Sequence, residues 1–395
     1  MRVLQLFNRY RERGGEEKSV ERIFNHLGES CEVDKIWWDS REWDSPDGPG
    51  VLGQLKKMFD NPDSAKQLRE KIEEFKPDVL LCHNLYPVGS PAVYREAKQA
   101  GLPVVQYVHN FRPFSVCGSL WTGERIAEES LKGDFRAEVL SGSWQGSVLK
   151  SLIFAILLKR LHRSGHLEAV KKWVCISDFM RDRFVDAGLP ATRVEALRHS
   201  WDIKNESLSS LDGGYYLFLS RLVPEKGVTV LLDAWQILAE KLGERVPKLI
   251  IGGTGAEEKL VADFTNKNSS VSYVGFVEGD EKSELISNCR AMLAPSVWWE
   301  PLGLVTYEAY DYGKPMIAAA SGGLSETVEE GVTGFLCKRN DAEDLARVVA
   351  KLESMSSDER ILMGKAGREK LEQEFTPSEW KNSFQRVLQE VVESK

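Results

Sequence analysis

The sequence predicts an α/β protein made of two Rossmann-like domains that face each other across a cleft. Three observations support this prediction. The chain has 395 residues, a length that suits two or three domains. Short apolar runs alternate with longer amphipathic patterns along almost the whole chain, which is typical of parallel sheets with helices on both faces. Polar, turn-rich residues at Lys204–Gly214 then precede a new strand at Tyr215.

The alternation assigns most elements in order. In the first half, strands are predicted at Val3–Phe7, Val79–His83, Val104–His109 and Trp173–Ser177, with helices at Ser64–Phe75 and Phe179–Ala187 among those between them. In the second half, strands are predicted at Tyr215–Ser220, Lys248–Gly252, Val271–Val274, Ala291–Ala294 and Pro315–Ala319. The helices there are predicted at Thr229–Leu242, Glu257–Asn266, Lys282–Asn288, Leu304–Tyr312, Asp341–Glu353 and Asp358–Glu374. In such sheets, ligands bind beyond the carboxyl ends of the strands.

Composition and charge exclude several classes of protein. With 52 basic and 60 acidic residues, the net charge is −8, so the basic excess of a nucleic-acid-binding protein is absent. Nothing at the N-terminus resembles a signal peptide, and the longest apolar run, Leu152–Leu158, is too short to span a bilayer. The six cysteines are scattered without a C-x-x-C pair. We therefore expect a cytoplasmic protein without structural zinc.

Residues 111–165 do not fit the alternation and are predicted to be an insertion in the N-terminal domain, 1–204. Within 148–163, one helical face carries the apolar residues Val148, Leu149, Leu152, Ile153, Ile156, Leu157 and Leu161. Basic residues flank this face at Lys150, Lys159, Arg160 and Arg163. A basic amphipathic helix can lie on an anionic membrane. The alternative is a core helix whose cations extend to solvent, and core is the commoner role of an apolar stripe.

The first candidate site follows the strand Ala291–Ala294. Three residues would offer free amides at a helix N-terminus, a ready anion site: Gly303, Leu304 and Val305. Glu300 precedes this helix and Glu308 lies more than one turn inside it, so two carboxylates could accept hydrogen bonds from the hydroxyls of one ligand. The alternative is a solvated Glu300 and an ordinary surface Glu308.

Two further loops could bind phosphate. Arg221 and Lys226 lie five residues apart after a strand, and their cations suit a diphosphate. A solvated loop with a salt bridge to Glu225 is the alternative. Gly14 and Gly15 open a helix after the first strand and would let a phosphate or sugar approach the backbone amides. They do not form G-x-G-x-x-G, so a nicotinamide dinucleotide is disfavoured, and simple turn glycines remain possible.

As an ordered set, these motifs resemble the retaining glycosyltransferases of family 4, which have the GT-B fold. The matches are R-x4-K at Arg221 and Lys226, E-P-L-G-L-V-x-x-E-A at Glu300–Ala309, G-K-P-M-I-A at Gly313–Ala318, G-G at Gly322–Gly323 with Glu326, and G-x-x-G-F-L at Gly331–Leu336. They cover roughly residues 215–345. The first half matches more loosely, through Gly14–Gly15, His83–Asn84, Val108–Asn110 and Ile176–Phe179.

The resemblance implies a role for each matched residue. It implies that the C-terminal domain, 215–375, binds a nucleotide-diphosphate sugar. Arg221 and Lys226 would neutralise the diphosphate, Glu300 would contact sugar hydroxyls, and Glu308 would hold the ribose. Amides near Gly303, Leu304 and Val305 would bind phosphate or sugar. The remaining implied contacts are His109 near the donor sugar, Gly14 and Gly15 near the diphosphate, and the backbone at Gly275–Val277, including Val277, near the base.

The implied reaction is the transfer of a sugar, with retention, to an acceptor that is a glycan, a lipid-linked molecule or a small molecule. No D-x-D pair is placed as a metal site, so we expect metal independence and no cofactor beyond the nucleotide sugar. The alternatives are a GT-B phosphorylase or epimerase, or a nucleotide-sugar-binding protein without transferase activity. The resemblance also implies that a final helix in 376–395 crosses back to the N-terminal domain. It leaves open a peripheral contact of 148–163 with the inner face of a membrane.

Overall fold

A computed structural model of the chain describes residues 1–11, 14–46, 48–205 and 212–394. The chain divides into two compact units. Unit 1 comprises Met1–Thr122, Ala127–His199 and Pro377–Lys395, and unit 2 comprises Gly123–Ile126 and Ser200–Thr376. The chain thus passes to unit 2 after His199, before the boundary predicted at 204–214. Residues 206–211 of that predicted boundary lie outside the described residues.

Unit 1 is an α/β unit with a parallel sheet. Its described strands are β1 (Arg2–Arg9), β2 (Glu32–Asp39), β3 (Val79–Cys82), β4 (Val104–Val108), β5 (Val170–Cys175) and β6 (Val194–Ala196). Its helices up to the passage into unit 2 are α1 (Gly15–Gly28), α2 (Val51–Phe59), α3 (Pro62–Phe75), α4 (Ala92–Gln99), α5 (Arg136–Leu140), α6 (Val148–Arg163) and α7 (Asp178–Asp186). The strand order is β2-β1-β3-β4-β5-β6, and the sheet order reverses between β1 and β3.

The central strands of unit 1 are buried on both faces, which is why the sequence predicted them. In β1, Val3, Leu4, Leu6 and Phe7 expose no surface, and such a strand reads as a continuous apolar run. The two edge strands were not predicted. β2 carries charges along its length, and β6 has only three residues, so neither has a strong apolar signal.

The insertion predicted at 111–165 is a largely irregular segment between the paired strands β4 and β5. It folds around the buried Glu138, which accepts hydrogen bonds from Ser115 Oγ at 2.7 Å and from the amides of Val116 and Cys117 at 3.1 Å each. A single carboxylate therefore fixes the loop that follows β4.

The apolar face predicted on 148–163 is divided in the structure. Leu157 and Leu161 are buried, together with Phe154 and Leu158, which were not assigned to that face. Four other members of the predicted face are 45–66% exposed: Val148, Leu149, Leu152 and Ile156. The prediction of one continuous face was wrong because the helix packs on its 154–158 side. No helix in the described ranges is long and apolar enough to cross a membrane.

Unit 2 repeats the same architecture. Its described strands are β7 (Tyr215–Leu219), β8 (Lys248–Gly252), β9 (Val271–Gly275), β10 (Ala291–Ala294), β11 (Met316–Ala319) and β12 (Gly334–Cys337). Its helices are α8 (Val228–Leu242), α9 (Glu258–Thr265), α10 (Gly279–Ser287), α11 (Leu304–Asp311), α12 (Leu324–Thr327), α13 (Ala342–Glu353) and α14 (Ser357–Glu374). The parallel order is β12-β11-β10-β7-β8-β9, which reverses between β7 and β10.

The last helix, α15 (Pro377–Glu393), belongs to unit 1. Trp380 on this helix donates a hydrogen bond from Nε1 to the hydroxyl of Tyr107 at 3.2 Å, and its ring contacts that of Phe384 at a tilt of 33°, with ring centroids 5.0 Å apart. Phe384 in turn packs edge-on against Tyr107, with ring centroids 5.6 Å apart. This aromatic cluster anchors α15 on β4. Two parallel sheets with helices confirm the predicted α/β fold class.

Candidate functional site

Two of the sequence-predicted residues meet at the point where the sheet of unit 2 reverses its order. Lys226 follows β7 and Glu300 follows β10, and Lys226 Nζ donates to Glu300 Oε2 at 2.7 Å. Ser296 Oγ and Trp298 Nε1 donate to the same oxygen at 3.1 and 3.0 Å. Crevices at such reversal points are the usual ligand sites of open α/β sheets.

The two charged side chains remain accessible to a ligand. They are 17% and 13% exposed, for Lys226 and Glu300 respectively. An ammonium group has three N–H donors, and within the described chain Lys226 Nζ has one hydrogen bond, to Glu300. Its remaining donors can therefore bind an anion. The ammonium also lies 5.1 Å from the centroid of the Trp298 ring, a cation–π contact that helps to fix its position.

The loop that carries Glu300 is clamped by the Gly322–Gly323 pair. Gly323 N donates to the carbonyl oxygen of Glu300 at 2.8 Å, and Ser321 Oγ donates to the carbonyl of Trp298. A Cβ at Gly322 would lie 2.2 Å from the Glu300 carbonyl oxygen. The G-G motif is therefore needed for close backbone packing behind the carboxylate.

The helix N-terminus predicted to bind an anion is present. Gly303 caps α11 in the left-handed region, with φ 89°, and Leu304 and Val305 form the first turn. Amides in the first turn of a helix have no intrahelical partner, so they can bind a phosphate or sugar oxygen. The predicted extension of this helix to Tyr312 is one residue too long, since α11 ends at Asp311.

Arg221 and Glu308 are not brought into contact with the Lys226–Glu300 pair among the described residues. The side chain of Arg221 is 68% exposed and lies 3.8 Å from Glu225, as the alternative interpretation of this loop expected. Glu308 Oε1 accepts from Lys282 Nζ at 2.7 Å. Near the predicted base contact, Val277 is 8% exposed and the neighbouring Phe276 is 66% exposed.

In unit 1, Gly14 and Gly15 begin α1 after β1. A Cβ at either position would meet no atom of the described chain within 4 Å, so the local packing does not require glycine there. Open space beside free amides is what a bound phosphate or sugar would need.

His109 lies in a chain of three buried histidines. Its Nε2 is 2.9 Å from His83 Nδ1, and its Nδ1 is 3.2 Å from His199 Nε2. Burial lowers the pKa of His109 to about 3. Burial and the neighbouring His109 also lower the pKa of His83 and of His199. All three rings are therefore neutral at pH 7, and both ring nitrogens of His109 are occupied.

A cavity in unit 1 contains residues that the sequence analysis missed. It measures about 300 Å³ including its opening to solvent, and His83, His109, Tyr86 and Glu16 are among its lining residues. Glu16 Oε2 accepts from the Tyr10 hydroxyl at 2.9 Å and from Asn110 Nδ2 at 3.0 Å. Two buried atoms of these lining residues have no hydrogen-bond partner within the described chain: Glu16 Oε1 and the Tyr86 hydroxyl oxygen.

The carboxyl group of Glu16 is chemically unusual. Burial raises its pKa to about 7, although hydrogen bonds from Tyr10 and Asn110 and the charge of Arg112 act in the other direction. At neutral pH such a group can accept a hydrogen bond or a proton from a hydroxyl. The sequence does not predict this raised pKa, because the burial of Glu16 depends on how the insertion packs against it.

No group of three or more histidine, cysteine, aspartate or glutamate side chains in the described ranges is arranged to hold a metal ion. What the geometry does supply is a cation, a carboxylate and helix-end amides in unit 2, together with a polar cavity in unit 1. The first set suits a phosphorylated, hydroxyl-bearing ligand, and the second suits a hydroxyl group.

Two family models match consecutive parts of the chain. The model for Glycosyltransferase Family 4 matches residues 13–203, and that for Glycosyl transferases group 1 matches residues 199–370. The second match contains Arg221, Lys226, Glu300 and Glu308. The resemblance inferred from the motifs is therefore confirmed.

Curated relatives and solved structures agree with these matches. An uncharacterized glycosyltransferase of Methanocaldococcus jannaschii is 30% identical over 203 residues, which cover 50% of this chain and 54% of that protein. A glycogen synthase of Xanthomonas campestris is 27% identical over 304 residues, covering 69% and 62%. The chain thus spans little more than half the length of these relatives. The structure of Anabaena HepE in complex with UDP has a TM-score of 0.67 at 19% identity and covers 99% of this chain and 100% of that one, which shows the shared fold.

Proposed function

From the premise that this chain is a glycosyltransferase of the family 4 type, we propose that it moves a sugar from a nucleotide-diphosphate sugar to an acceptor hydroxyl, with retention and without a metal ion. The observation that supports this most is the Lys226–Glu300 pair at the reversal point of the unit 2 sheet. Breaking a glycosyl–phosphate bond builds negative charge on the leaving diphosphate. A fixed cation and helix-end amides stabilise that charge.

The two members of the pair have different roles in this proposal. Lys226 uses the N–H donors not engaged by Glu300 to bind the diphosphate. Glu300 already accepts three hydrogen bonds at Oε2, so its other oxygen, Oε1, is the acceptor for sugar hydroxyls. Arg221 is exposed and reaches the phosphate only when the donor binds. Glu308 exchanges its contact with Lys282 for the ribose hydroxyls.

Nucleotide preference is the first measurement, because it tests binding before chemistry. Structures of HepE contain UDP and UDP-glucose, so UDP and its sugar conjugates are screened first, followed by GDP and ADP. A ligand that binds only the folded state raises the melting temperature. We expect one nucleotide to give a clear shift that EDTA leaves unchanged. A shift abolished by EDTA would contradict metal independence.

Catalysis is tested by two substitutions in the pair. We expect Lys226→Ala and Glu300→Ala each to lower the rate of sugar transfer at least about 100-fold, the scale of losing one preorganised charge contact. Lys259→Ala is the matched control, since Lys259 forms an exposed ion pair with Asp263 in the same unit. Near-wild-type transfer in both variants would contradict the mechanism. Sugar release without an acceptor, or epimerised donor, would instead indicate the alternative GT-B chemistries.

For the acceptor, we propose that the cavity of unit 1 binds the reacting hydroxyl through Glu16. Glu16 Oε1 and the Tyr86 hydroxyl have no hydrogen-bond partner within the described chain. In this proposal, Glu16 Oε1 accepts a hydrogen bond from the ligand hydroxyl, and the Tyr86 hydroxyl donates one to it. Glu16→Gln keeps the shape but replaces the carboxyl group. We expect the variant to lose at least about tenfold in kcat while the nucleotide-induced melting shift is unchanged. Exposed Glu343→Gln is the control, and equal kcat in wild type and Glu16→Gln would contradict this role.

We also propose that the protein acts in the cytoplasm and that α6 rests on an anionic membrane. The exposed apolar residues Val148, Leu149, Leu152 and Ile156 lie toward its N-terminal end. The exposed cations Lys159, Arg160 and Arg163 continue the same side toward its C-terminal end, and α6 contains no acidic residue. Exposed Leu140 ends the neighbouring helix α5. Apolar insertion next to positive charge fits anionic lipid, and a lipid-linked acceptor would be presented there.

A further inference from the structure

We propose that Gln5 is a positioning residue that sets the tautomer of His109 through His83. Gln5 lies in the middle of β1 and is fully buried. Its Nε2 is 3.0 Å from His83 Nε2, and the histidines continue as an unbroken chain to His109 and His199. A neutral histidine has one N–H donor and one acceptor nitrogen, so fixing one end of such a chain fixes every ring in it.

Two independent contacts fix the amide of Gln5. Trp37 Nε1 can only donate, and it lies 3.2 Å from Gln5 Oε1. The carbonyl oxygen of Val20 can only accept, and it lies 3.1 Å from Gln5 Nε2. Both contacts require the same orientation of the amide. The atom that faces His83 is therefore the NH₂ group, which can only donate.

The direction of hydrogen-bond donation is then determined for each histidine ring in turn. His83 must accept at Nε2, so its proton is on Nδ1 and is donated to His109 Nε2. His109 must likewise carry its proton on Nδ1 and donate it to His199 Nε2. His199 is left with its proton on Nδ1. An added proton on His83 or His109 would bring two N–H groups face to face, which agrees with the lowered pKa of all three rings.

This arrangement fixes the tautomer of each ring and does not relay protons. A glutamine amide cannot take up and release a proton at neutral pH, so the chain is closed at Gln5. Under the proposed function, on which the catalytic meaning rests, His109 contributes to the wall of the unit 1 cavity a neutral ring held in one tautomer, and it does not act as an acid or base. Gln5 and His83 act only through it.

The direct test is ¹⁵N NMR of histidine-labelled wild-type protein, since the two tautomers give distinct ring-nitrogen shifts. We expect His83, His109 and His199 each to carry the proton on Nδ1, with Nε2 unprotonated. Assignment uses single histidine substitutions. Any one of the three with its proton on Nε2 overturns the inference, and this holds whether or not the protein transfers sugar.

The variant Gln5→Leu tests the role of Gln5 itself. Leucine offers His83 neither donor nor acceptor, so we expect the single set of shifts to become a mixture of both tautomers, with kcat reduced and the nucleotide melting shift kept. Gln106→Leu is the matched control, because buried Gln106 donates to the carbonyl of His83 at 2.9 Å and not to its ring. Unchanged tautomers in Gln5→Leu, or mixed tautomers with unchanged kcat, would overturn the positioning role. If Gln5→Leu does not fold, the wild-type spectrum still decides the tautomers.

Discussion

Gly322 shows how one residue without a side chain determines the position of a charged one. Its backbone lies in the left-handed region with φ 60°, and its Cα packs directly behind the carbonyl of Glu300. Three donors then orient the Glu300 carboxylate in front of the same backbone. The position of the carboxylate thus depends on the loop behind it as much as on Lys226.

We expect Gly322→Ala to lower sugar transfer at least about tenfold, because its Cβ would displace the Glu300 backbone. Gly331→Ala is the matched control: Gly331 has φ 77°, but a Cβ there would meet no atom within 4 Å. Both variants have the cost of a left-handed non-glycine residue, about 1 kcal/mol. Comparable transfer rates in the two variants would show that the close packing at Gly322 does not control the site.

At the scale of elements, helix α6 has one side that packs in unit 1 and another that exposes apolar residues. Its buried side, with Phe154, Leu157 and Leu158, holds the insertion on unit 1. The opposite side exposes apolar side chains to solvent: Leu149 is 66% exposed and Leu152 is 45% exposed. An apolar surface continuous with positive charge is costly in water and gains free energy at an anionic interface.

We expect the protein to co-sediment with vesicles that contain phosphatidylglycerol but not with pure phosphatidylcholine vesicles, and high salt should weaken this binding. Leu149→Asp with Leu152→Asp should abolish it by removing the apolar contact. Leu362→Asp is the control, since Leu362 is also exposed, at 62%, but lies on α14 of unit 2. Wild-type binding by the double variant would exclude α6 as the contact.

At the scale of the whole molecule, most of the architecture could be predicted from the sequence. Central strands such as β8 and β10 were predicted with their observed bounds, because each contains a short run of apolar residues that is mostly buried. The edge strands β2 and β6 were not predicted. They form by pairing with β1 and β5, and their own residues lack the apolar run that indicates a strand. Lys226 and Glu300 were recognisable as motifs. Glu16, Gln5 and the histidine chain were not, because helix α1 and strands that are distant in sequence bring these residues together.

Four titratable side chains of unit 1 make the free energy of unfolding depend on pH: Glu16, His83, His109 and His199. Raising the pH lowers the contribution of Glu16 and increases that of the histidines. The pKa of Glu16 is raised from 4.5 to about 7, so its stabilising contribution is present below pH 4.5 and is lost as the pH rises through 7. The pKa values of His83, His109 and His199 are lowered from 6.5, and that of His109 falls to about 3. Their contribution is present above pH 6.5 and is lost as the pH falls.

We expect urea unfolding to show Glu16→Gln more stable than wild type at pH 8, by about 3 kcal/mol, with the difference vanishing near pH 4.5. Both proteins should also lose stability below pH 6.5 through the three buried histidines, by about 2 kcal/mol at pH 5 for His109, whose pKa falls from 6.5 to about 3. Glu343→Gln, which removes the charge of an exposed glutamate in unit 2, is the control. A constant difference between Glu16→Gln and wild type would show that the buried carboxyl does not titrate as proposed.

The membership of α15 in unit 1 has a consequence for biosynthesis. All residues of unit 2 precede this helix in the chain, so a ribosome releases them before it releases Trp380 and Phe384. Domains ordinarily fold in the order in which they are translated. Here the unit that begins first is completed last, and Tyr107 lacks its aromatic neighbours from α15 until translation reaches the final segment of this sequence. A nascent chain of this protein therefore contains all of unit 2 while the aromatic surface around Tyr107 is still uncovered.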